Sequence, residues 1–325
     1  MNSISRRTFL ASSAGAAALA LTACGGSGSG SSDASGDKTY KIGVLQLTQH
    51  AALDAANEGF VEALDASGIK YTIDQQNANN DQSACATIAS KLVGDGDDLI
   101  FAIATPAAQA VAAATTDIPI VGSAITDYAA SGLVADNDKP GGNLTGTSDM
   151  NPVDDQIAML QKVLPEAKHI GMLYCTAESN SQLQIEMAEA ACDKAGLTTE
   201  RFTVSSSNEI QSVVESMVGK VDAGYSPTDN TIAAAAAQVG QIAKEGKLPF
   251  ITGEENMCMG MGICTVSIDY KELGKMAGEM AVKILKGEDT PANMAIETET
   301  GDQLQTIKNE EMAEALGIDL SVLDA

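Results

Sequence analysis

The side chains in this sequence that could do chemistry are hydroxyls, carboxylates and amides in short clusters, each just after an apolar run. They are His50; Thr105, with Pro106 and Ala107; Thr126, Asp127 and Tyr128; Glu178, Ser179 and Asn180; Tyr225, Thr228 and Asp229; and Glu254. A carboxylate is held by unpaired N–H groups at a helix N-terminus with a hydroxyl nearby, which Thr105-Pro106-Ala107 and Glu178-Ser179-Asn180 can supply. An ammonium group needs acceptors, and Asp127, Asp229 and Glu254 are the acids best placed to provide them. Together the clusters suit a small zwitterion with an apolar part. Asp127, Ser179 and Asp229 equally suit helix caps. Tyr128, Tyr174 and Tyr225 either stack on an aromatic solute or pack in the core.

Other chemistry finds less support. There are only two histidines, and His169 enters an apolar run. No glycine-rich loop carries a phosphate-cradling lysine, and no spacing brings a nucleophile to a base and an orienting acid. The reading is therefore a binding protein rather than an enzyme, with no cofactor. Met257, Cys258, Met259, Met261 and Cys264 put soft sulfur ligands together, but an adaptable cleft wall explains them as simply as Cu(I), so no metal is assigned. Cys85, Cys175, Cys192, Cys258 and Cys264 are odd in number, and only Cys258 and Cys264 are spaced to close a small loop.

The elements that must position these clusters repeat. Lys41-Ile42-Gly43-Val44-Leu45 returns as Lys168-His169-Ile170-Gly171-Met172-Leu173, and Ile118-Pro119-Ile120-Val121 as Leu248-Pro249-Phe250-Ile251. A long period repeated twice means two similar domains sharing a cleft. Strands are expected near 40–47, 71–74, 99–103 and 118–121, then near 170–174, 198–204, 221–225 and 249–252. Helices are expected between them, near 53–64, 82–92, 107–115, 181–195, 209–218 and 231–245. This alternation predicts an α/β fold: two Rossmann-like lobes with parallel sheets covered on both faces, and ligands at the strands' carboxyl ends. A last helix with Leu273, Met276, Met280 and Ile284 on one face has no counterpart in the first copy and is expected to return to it. Lobe 1 is then 39–148 with about 264–291, and lobe 2 is 149–263 with about 292–325. Crossings near 147–152, 254–263 and 292–305 make a multi-strand hinge, and hinge closure around a solute is the motion they permit.

Arg6-Arg7 followed by an apolar run from Leu10 to Ala23 reads as an export signal over 1–23, similar to the twin-arginine type. Leu21-Thr22-Ala23-Cys24 resembles the lipobox of bacterial lipoproteins, which implies a lipid on Cys24. Residues 24–38, rich in Gly, Ser and Asp, then form a flexible tether. The body is expected to sit outside the cytoplasm, on the outer face of the cell membrane. With 44 acidic and 19 basic residues the formal charge is −25, and loss of Arg6 and Arg7 makes it −27. That balance argues against nucleic acid, which needs basic patches.

From 41 to about 316 the chain resembles the substrate-binding proteins of bacterial ABC transporters, in the branch linked to tryptophan, tyrosine and phenylalanine uptake. The stretches that carry the resemblance are 45–56, 102–110, Ala124-Ile125-Thr126-Asp127, 140–149, Glu178-Ser179-Asn180-Ser181 and Pro227-Thr228-Asp229-Asn230-Thr231. The resemblance implies a type I periplasmic-binding-protein fold, a monomer that closes on a small molecule, favouring an aromatic amino acid. It also implies delivery to a membrane permease driven by an ATPase. Thr105, Thr126, Asp127, Ser179, Asn180 and Asp229 lie in the family's cleft motifs. Tyr128 stands where a proline is common and Cys175 where an asparagine is common; the 254–263 segment is unusually rich in Met and Gly. Two alternatives stay open: a sensory lipoprotein presenting its ligand to a membrane receptor, and a solute that is not an amino acid.

Overall fold

In a computed structural model, residues 38–324 are described. The export signal, Cys24 and nearly all of the tether lie outside them. Lobe 1 runs β1 (Thr39–Gln46), α1 (Ala51–Ser67), β2 (Lys70–Asn77), α2 (Gln82–Asp95), β3 (Leu99–Ile103), α3 (Thr105–Ala114), β4 (Ile120–Ile125) and β5 (Leu144–Ser148). Its five strands are all parallel, in the order β2-β1-β3-β4-β5. The order reverses between β1 and β3, which opens a crevice at their carboxyl ends. Every residue of β3 and β4 is buried, as strands covered on both faces must be.

Lobe 2 opens with α4 (Val153–Val163), β6 (His169–Cys175), α5 (Ser179–Ala195), β7 (Thr198–Val204), α6 (Ile210–Met217) and β8 (Ala223–Ser226). It continues with α7 (Asn230–Ala233), α8 (Ala236–Gly246), β9 (Phe250–Thr252), α9 (Glu255–Met261) and β10 (Cys264–Ser267). The chain then crosses to lobe 1 with α10 (Tyr270–Lys286) and returns for β11 (Gln305–Lys308) and α11 (Glu310–Leu316). The second sheet is ordered β11-β10-β9-β8-β6-β7, parallel except for the β10–β11 pair.

The structure differs from the expected layout in four places. The 254–263 segment, expected as a crossing, is mostly helix. Glu254 accepts from the N–H groups of Asn256 and Met257, both at 2.6 Å, and Met257, Cys258 and Met261 are buried. Because β10 pairs with β9 and β11, the second crossing moves to Ile268 and Asp269, and residues 264–267 belong to lobe 2. Cys258 and Cys264 are not bridged; all five cysteines of the described residues are free and buried. The helix expected over 231–245 is broken between α7 and α8.

The returning α10 completes lobe 1. Tyr270, Ala277, Ala281 and Val282 join the core built on β1, β3, β4 and α1. Glycines let α1 and α10 approach closely: a Cβ on Gly274 would stand 1.9 Å from the Ala56 carbonyl oxygen, and one on Gly59 would stand 2.0 Å from that of Lys271. The two faces of the second sheet bury separate apolar clusters. No helix among the described residues is long and apolar enough to cross a membrane.

Candidate functional site

The carboxyl ends of both sheets face each other across the crossings and enclose a narrow cavity, with only about 10 Å³ of room for the centre of a water-sized sphere. From lobe 1 it is lined by His50, Ala52, Leu53, Ala124 and Tyr270; from lobe 2 by Asn180, Thr228, Asp229, Asn230, Ala233, Glu254 and Met257. Asp149, on the first crossing, completes it. The strand ends are strained where they meet the crevice. Ala104 and Ala124, after β3 and within β4, hold φ of +84° and +56°, a conformation that costs a non-glycine residue about 1–3 kcal/mol and collects at functional sites.

Each cavity carboxyl group is set by its element. Asp149 follows β5; its Oδ2 accepts from the Tyr270 hydroxyl at 2.7 Å, while Oδ1 has no partner. Burial pushes its pKa up to about 6, against hydrogen bonds from Tyr270 and Thr126. Glu254 caps α9, and burial raises its pKa to about 7. Asp229 caps α7 through the Ile232 N–H at 2.8 Å and also accepts from Cys175 N–H at 2.6 Å and the Ser181 hydroxyl at 2.8 Å. Burial and the neighbouring Glu178 charge still raise its pKa. No Lys or Arg among the described residues lines the cavity, so these acids face no cation from them.

His50 sits at the N-terminus of α1 and meets lobe 2 through Nε2 and Asn230 Oδ1, 3.2 Å apart. The Asn230 amide nitrogen is committed to Glu178 at 2.6 Å, so Oδ1 accepts and the His50 proton lies on Nε2. Burial lowers the His50 pKa, leaving Nδ1 a bare acceptor without a partner. Asn180 donates to Thr228 O at 3.0 Å, and its Oδ1 is likewise unpartnered. Three buried acceptors on cavity-lining residues, His50 Nδ1, Asp149 Oδ1 and Asn180 Oδ1, are therefore unsatisfied, which buried polar groups seldom are.

The structure gathers five of the sequence candidates at the cavity: His50, Asn180, Thr228, Asp229 and Glu254. Thr105, Thr126 and Glu178 are buried but are not among the residues that line it. The Thr105 hydroxyl at the start of α3 has no partner; Glu178 accepts from the backbone of Asn230 and Thr231 at 3.1 and 2.9 Å. The other five are placed elsewhere. Ala107 packs in the lobe 1 core. Asp127 closes a turn by accepting from Ala130 N–H and Asn137. Ser179 is exposed.

Tyr128 and Tyr225 are core residues. The Tyr128 hydroxyl donates to Thr147 O at 3.0 Å, and the Tyr225 hydroxyl to Gln156 Oε1 at 2.8 Å. Tyr174 is also buried, under the Arg201 guanidinium. Removing the Tyr225 hydroxyl as Tyr225→Phe should cost about 1–2 kcal/mol in chemical denaturation and leave solute affinity unchanged. A loss of affinity would return that ring to the cleft.

Sequence reasoning missed Asp149, Tyr270 and Gln184. Gln184, on the fully buried side of α5, reaches Thr126 Oγ1 of lobe 1 at 3.2 Å. Three further bonds join the lobes: His50 to Asn230, Asn80 to Thr231 at 2.9 Å, and Gln82 to Ala177 O at 3.0 Å. The cleft is shut.

Solved structures bear on that state. The chain is 41% identical to a Streptococcus pneumoniae protein crystallised in complex with L-Trp, covering 88% of this chain and 98% of that one, with a TM-score of 0.84. It is 42% identical to a substrate binding protein with adhesive properties from Clostridium difficile, covering 86% and 95%, yet the TM-score against its ligand-free, open structure is 0.66. Near-equal identity with unequal superposition accords with lobes that open and shut about the crossings. A tyrosine-binding protein of Clostridioides difficile (strain R20291) is 40% identical, over 86% of this chain and 81% of its own. The fold is the α/β type I periplasmic-binding-protein architecture of these neighbours. The model for "ABC transporter substrate binding protein" matches residues 41–322. The match spans nearly all of the described residues, and the chain belongs to the ABC transporter substrate-binding protein family.

Proposed function

We propose that this protein captures an aromatic L-amino acid, tyrosine or tryptophan, by hinge closure and hands it to an ABC permease. The observation that carries the reading is the trio of unsatisfied acceptors on His50, Asp149 and Asn180, beside carboxyl groups that face no cation from the described residues. An ammonium group has three protons to donate and no acceptor role, so it can satisfy all three of the trio, which a carboxylate or other acceptor-only group cannot. The Thr105 hydroxyl, with the first N–H groups of α3, suits the carboxylate. Ala52, Leu53, Ala124, Ala233 and Met257 offer the apolar wall for a ring. The tyrosine-binding relative and the L-Trp complex support the same class of cargo.

Members of this family work outside the cytoplasm. The leader 1–23 and the lipobox ending at Cys24 support anchoring by a lipid at the membrane's outer face. Function as a monomer is part of the same reading, since a single chain encloses the whole cavity.

A thermal-shift panel of amino acids and other small solutes tests the cargo. A ligand at about one hundred times its dissociation constant adds roughly 2.7 kcal/mol, so L-tyrosine or L-tryptophan should raise the melting temperature by several degrees. If they leave it unchanged while another solute class raises it, the cargo is misread.

A further inference from the structure

Among the described residues, Gln184 is the one side chain that hydrogen-bonds hydroxyls of both lobes at the cleft. Its Nε2 donates to Thr228 Oγ1 on its own lobe and to Thr126 Oγ1 across the cleft at 3.2 Å. The orientation of its amide follows from backbone neighbours whose roles are fixed. Nε2 lies 3.4 Å from the Asn180 carbonyl oxygen, which can only accept, and Oε1 lies 3.4 Å from the Thr228 N–H, which can only donate. Turning the amide over would set oxygen against oxygen and N–H against N–H. Both threonine hydroxyls therefore meet a donor, each spends a lone pair on it, and each must aim its own proton elsewhere.

The Thr126 hydroxyl lies near the Asp149 carboxylate, toward which its proton can turn. Thr228 has no such acceptor in the protein among the described residues, and Thr228 lines the cavity. Donors are the scarce commodity there, because the unsatisfied atoms on His50, Asp149 and Asn180 are all acceptors.

We propose that Gln184 is a positioning residue for the ligand's carboxylate: by donating to Thr228 and Thr126 together, it turns the Thr228 proton into the cavity when the lobes close. This rests on the amino-acid reading above. The bond to Thr126 exists only in the shut arrangement, so Gln184 also ties that donor's alignment to closure. A closed cleft then presents acceptors for the ammonium and adds the Thr228 hydroxyl to the donors for the carboxylate.

The test compares each amino acid with its carboxamide, which keeps the ring and loses the negative charge, at a pH where both carry the ammonium. Affinities of L-tyrosine, L-tyrosinamide, L-tryptophan and L-tryptophanamide are measured by calorimetry for the wild type, Gln184→Glu and Gln184→Met. Gln184→Glu accepts where glutamine donated, so both hydroxyl protons turn to it and Thr228 shows the cavity a lone pair. The preference for acid over amide should fall about tenfold or more, the worth of one hydrogen bond to a charged group. Gln184→Met, with no polar end, should lose part of that preference.

If both variants weaken acid and amide alike, Gln184 only packs α5 and the proposal is overturned. Should neither variant fold, Thr228→Val removes the donor itself and must show the same loss of preference; an unchanged ratio overturns the proposal. A wild type that binds neither aromatic acid overturns the aromatic cargo alone, and the comparison is then made on the amino acid that shifts the melting temperature. A wild type that binds no carboxylate-bearing solute overturns both.

Discussion

Asp149→Asn should lower affinity for the amino-acid ligand about 100-fold or more while the ligand-free protein at pH 8 stays folded and becomes no less stable. The substitution keeps an oxygen for the Tyr270 hydroxyl, 2.7 Å away, but removes the charge that faces the ammonium. Removing one partner of a buried, hydrogen-bonded charge pair costs about 2–5 kcal/mol in binding. The empty cavity behaves oppositely. Asp149 titrates near 6 rather than 3.8 because it is buried, so the folded protein holds its proton more tightly than the unfolded chain does. Ligand-free stability therefore falls as pH rises from about 4 to 6, by about 3 kcal/mol for a shift of this size.

Ligand binding carries the reverse dependence. Below pH 6 the ammonium must displace a proton from Asp149, and affinity should drop up to about tenfold per pH unit for that one group. The titratable groups sharing its cavity are Tyr270 on α10, Glu254 on α9, Asp229 at α7 and His50 at α1. None supplies a cation at neutral pH, since burial keeps His50 neutral. Glu254, raised to about 7, should add a second inflection that survives in Asp149→Asn. Calorimetry from pH 5 to 8 decides the matter: equal pH profiles for variant and wild type would remove Asp149 from the ammonium site.

Gly274→Val should be the most damaging single change in lobe 1. Even its Cβ would lie 1.9 Å from the Ala56 carbonyl oxygen and 2.8 Å from the Ala56 Cα. Backbone atoms cannot rotate aside, so α1 and α10 must separate, and the contacts along Gly59, Gly274 and Gly278 are lost together. Overpacking a rigid core costs about 1–3 kcal/mol and more where no side chain can yield. A loss of at least about 3 kcal/mol is expected in denaturant titration. A variant with an unchanged midpoint would mean that the two helices tolerate a wider spacing.

Elements with one dominant period were legible in the sequence. The apolar run at β3 and the pattern of α1 come out almost where the structure has them. β5 was not, because Thr145, Thr147 and Ser148 look like loop residues. They are buried with their hydroxyls bonded to Met294 O, Leu273 O and Thr126 O, partners that hydropathy cannot reveal. The Met- and Gly-rich run of α9 reads as loop for the same kind of reason: Gly260 and Gly262 are small because Ala236 and Thr252 press on them.

The cleft residues divide along the same line. Asp229 and Glu254 follow strands and cap helices, a local signature. Asp149 and Tyr270 are joined by a bond between residues 121 apart, and nothing near either announces the other. Gln184 lies within α5 with no local mark of its role. Tyr128 and Tyr225 misled because proximity to a strand end does not say which way a ring turns; here both hydroxyls find acceptors inside their own lobes.

The glycine seam between α1 and α10 also sets an order of assembly. The half of the molecule that leaves the ribosome first lacks a wall until residue 286 has been made, after ten of the eleven strands. A nascent N-terminal half must wait with the apolar side of α1 uncovered, a state prone to wrong associations. Cutting the gene between the lobes would thus yield one fragment with a missing side and another with a helix it cannot use. The two halves look like duplicates, but they mature as one.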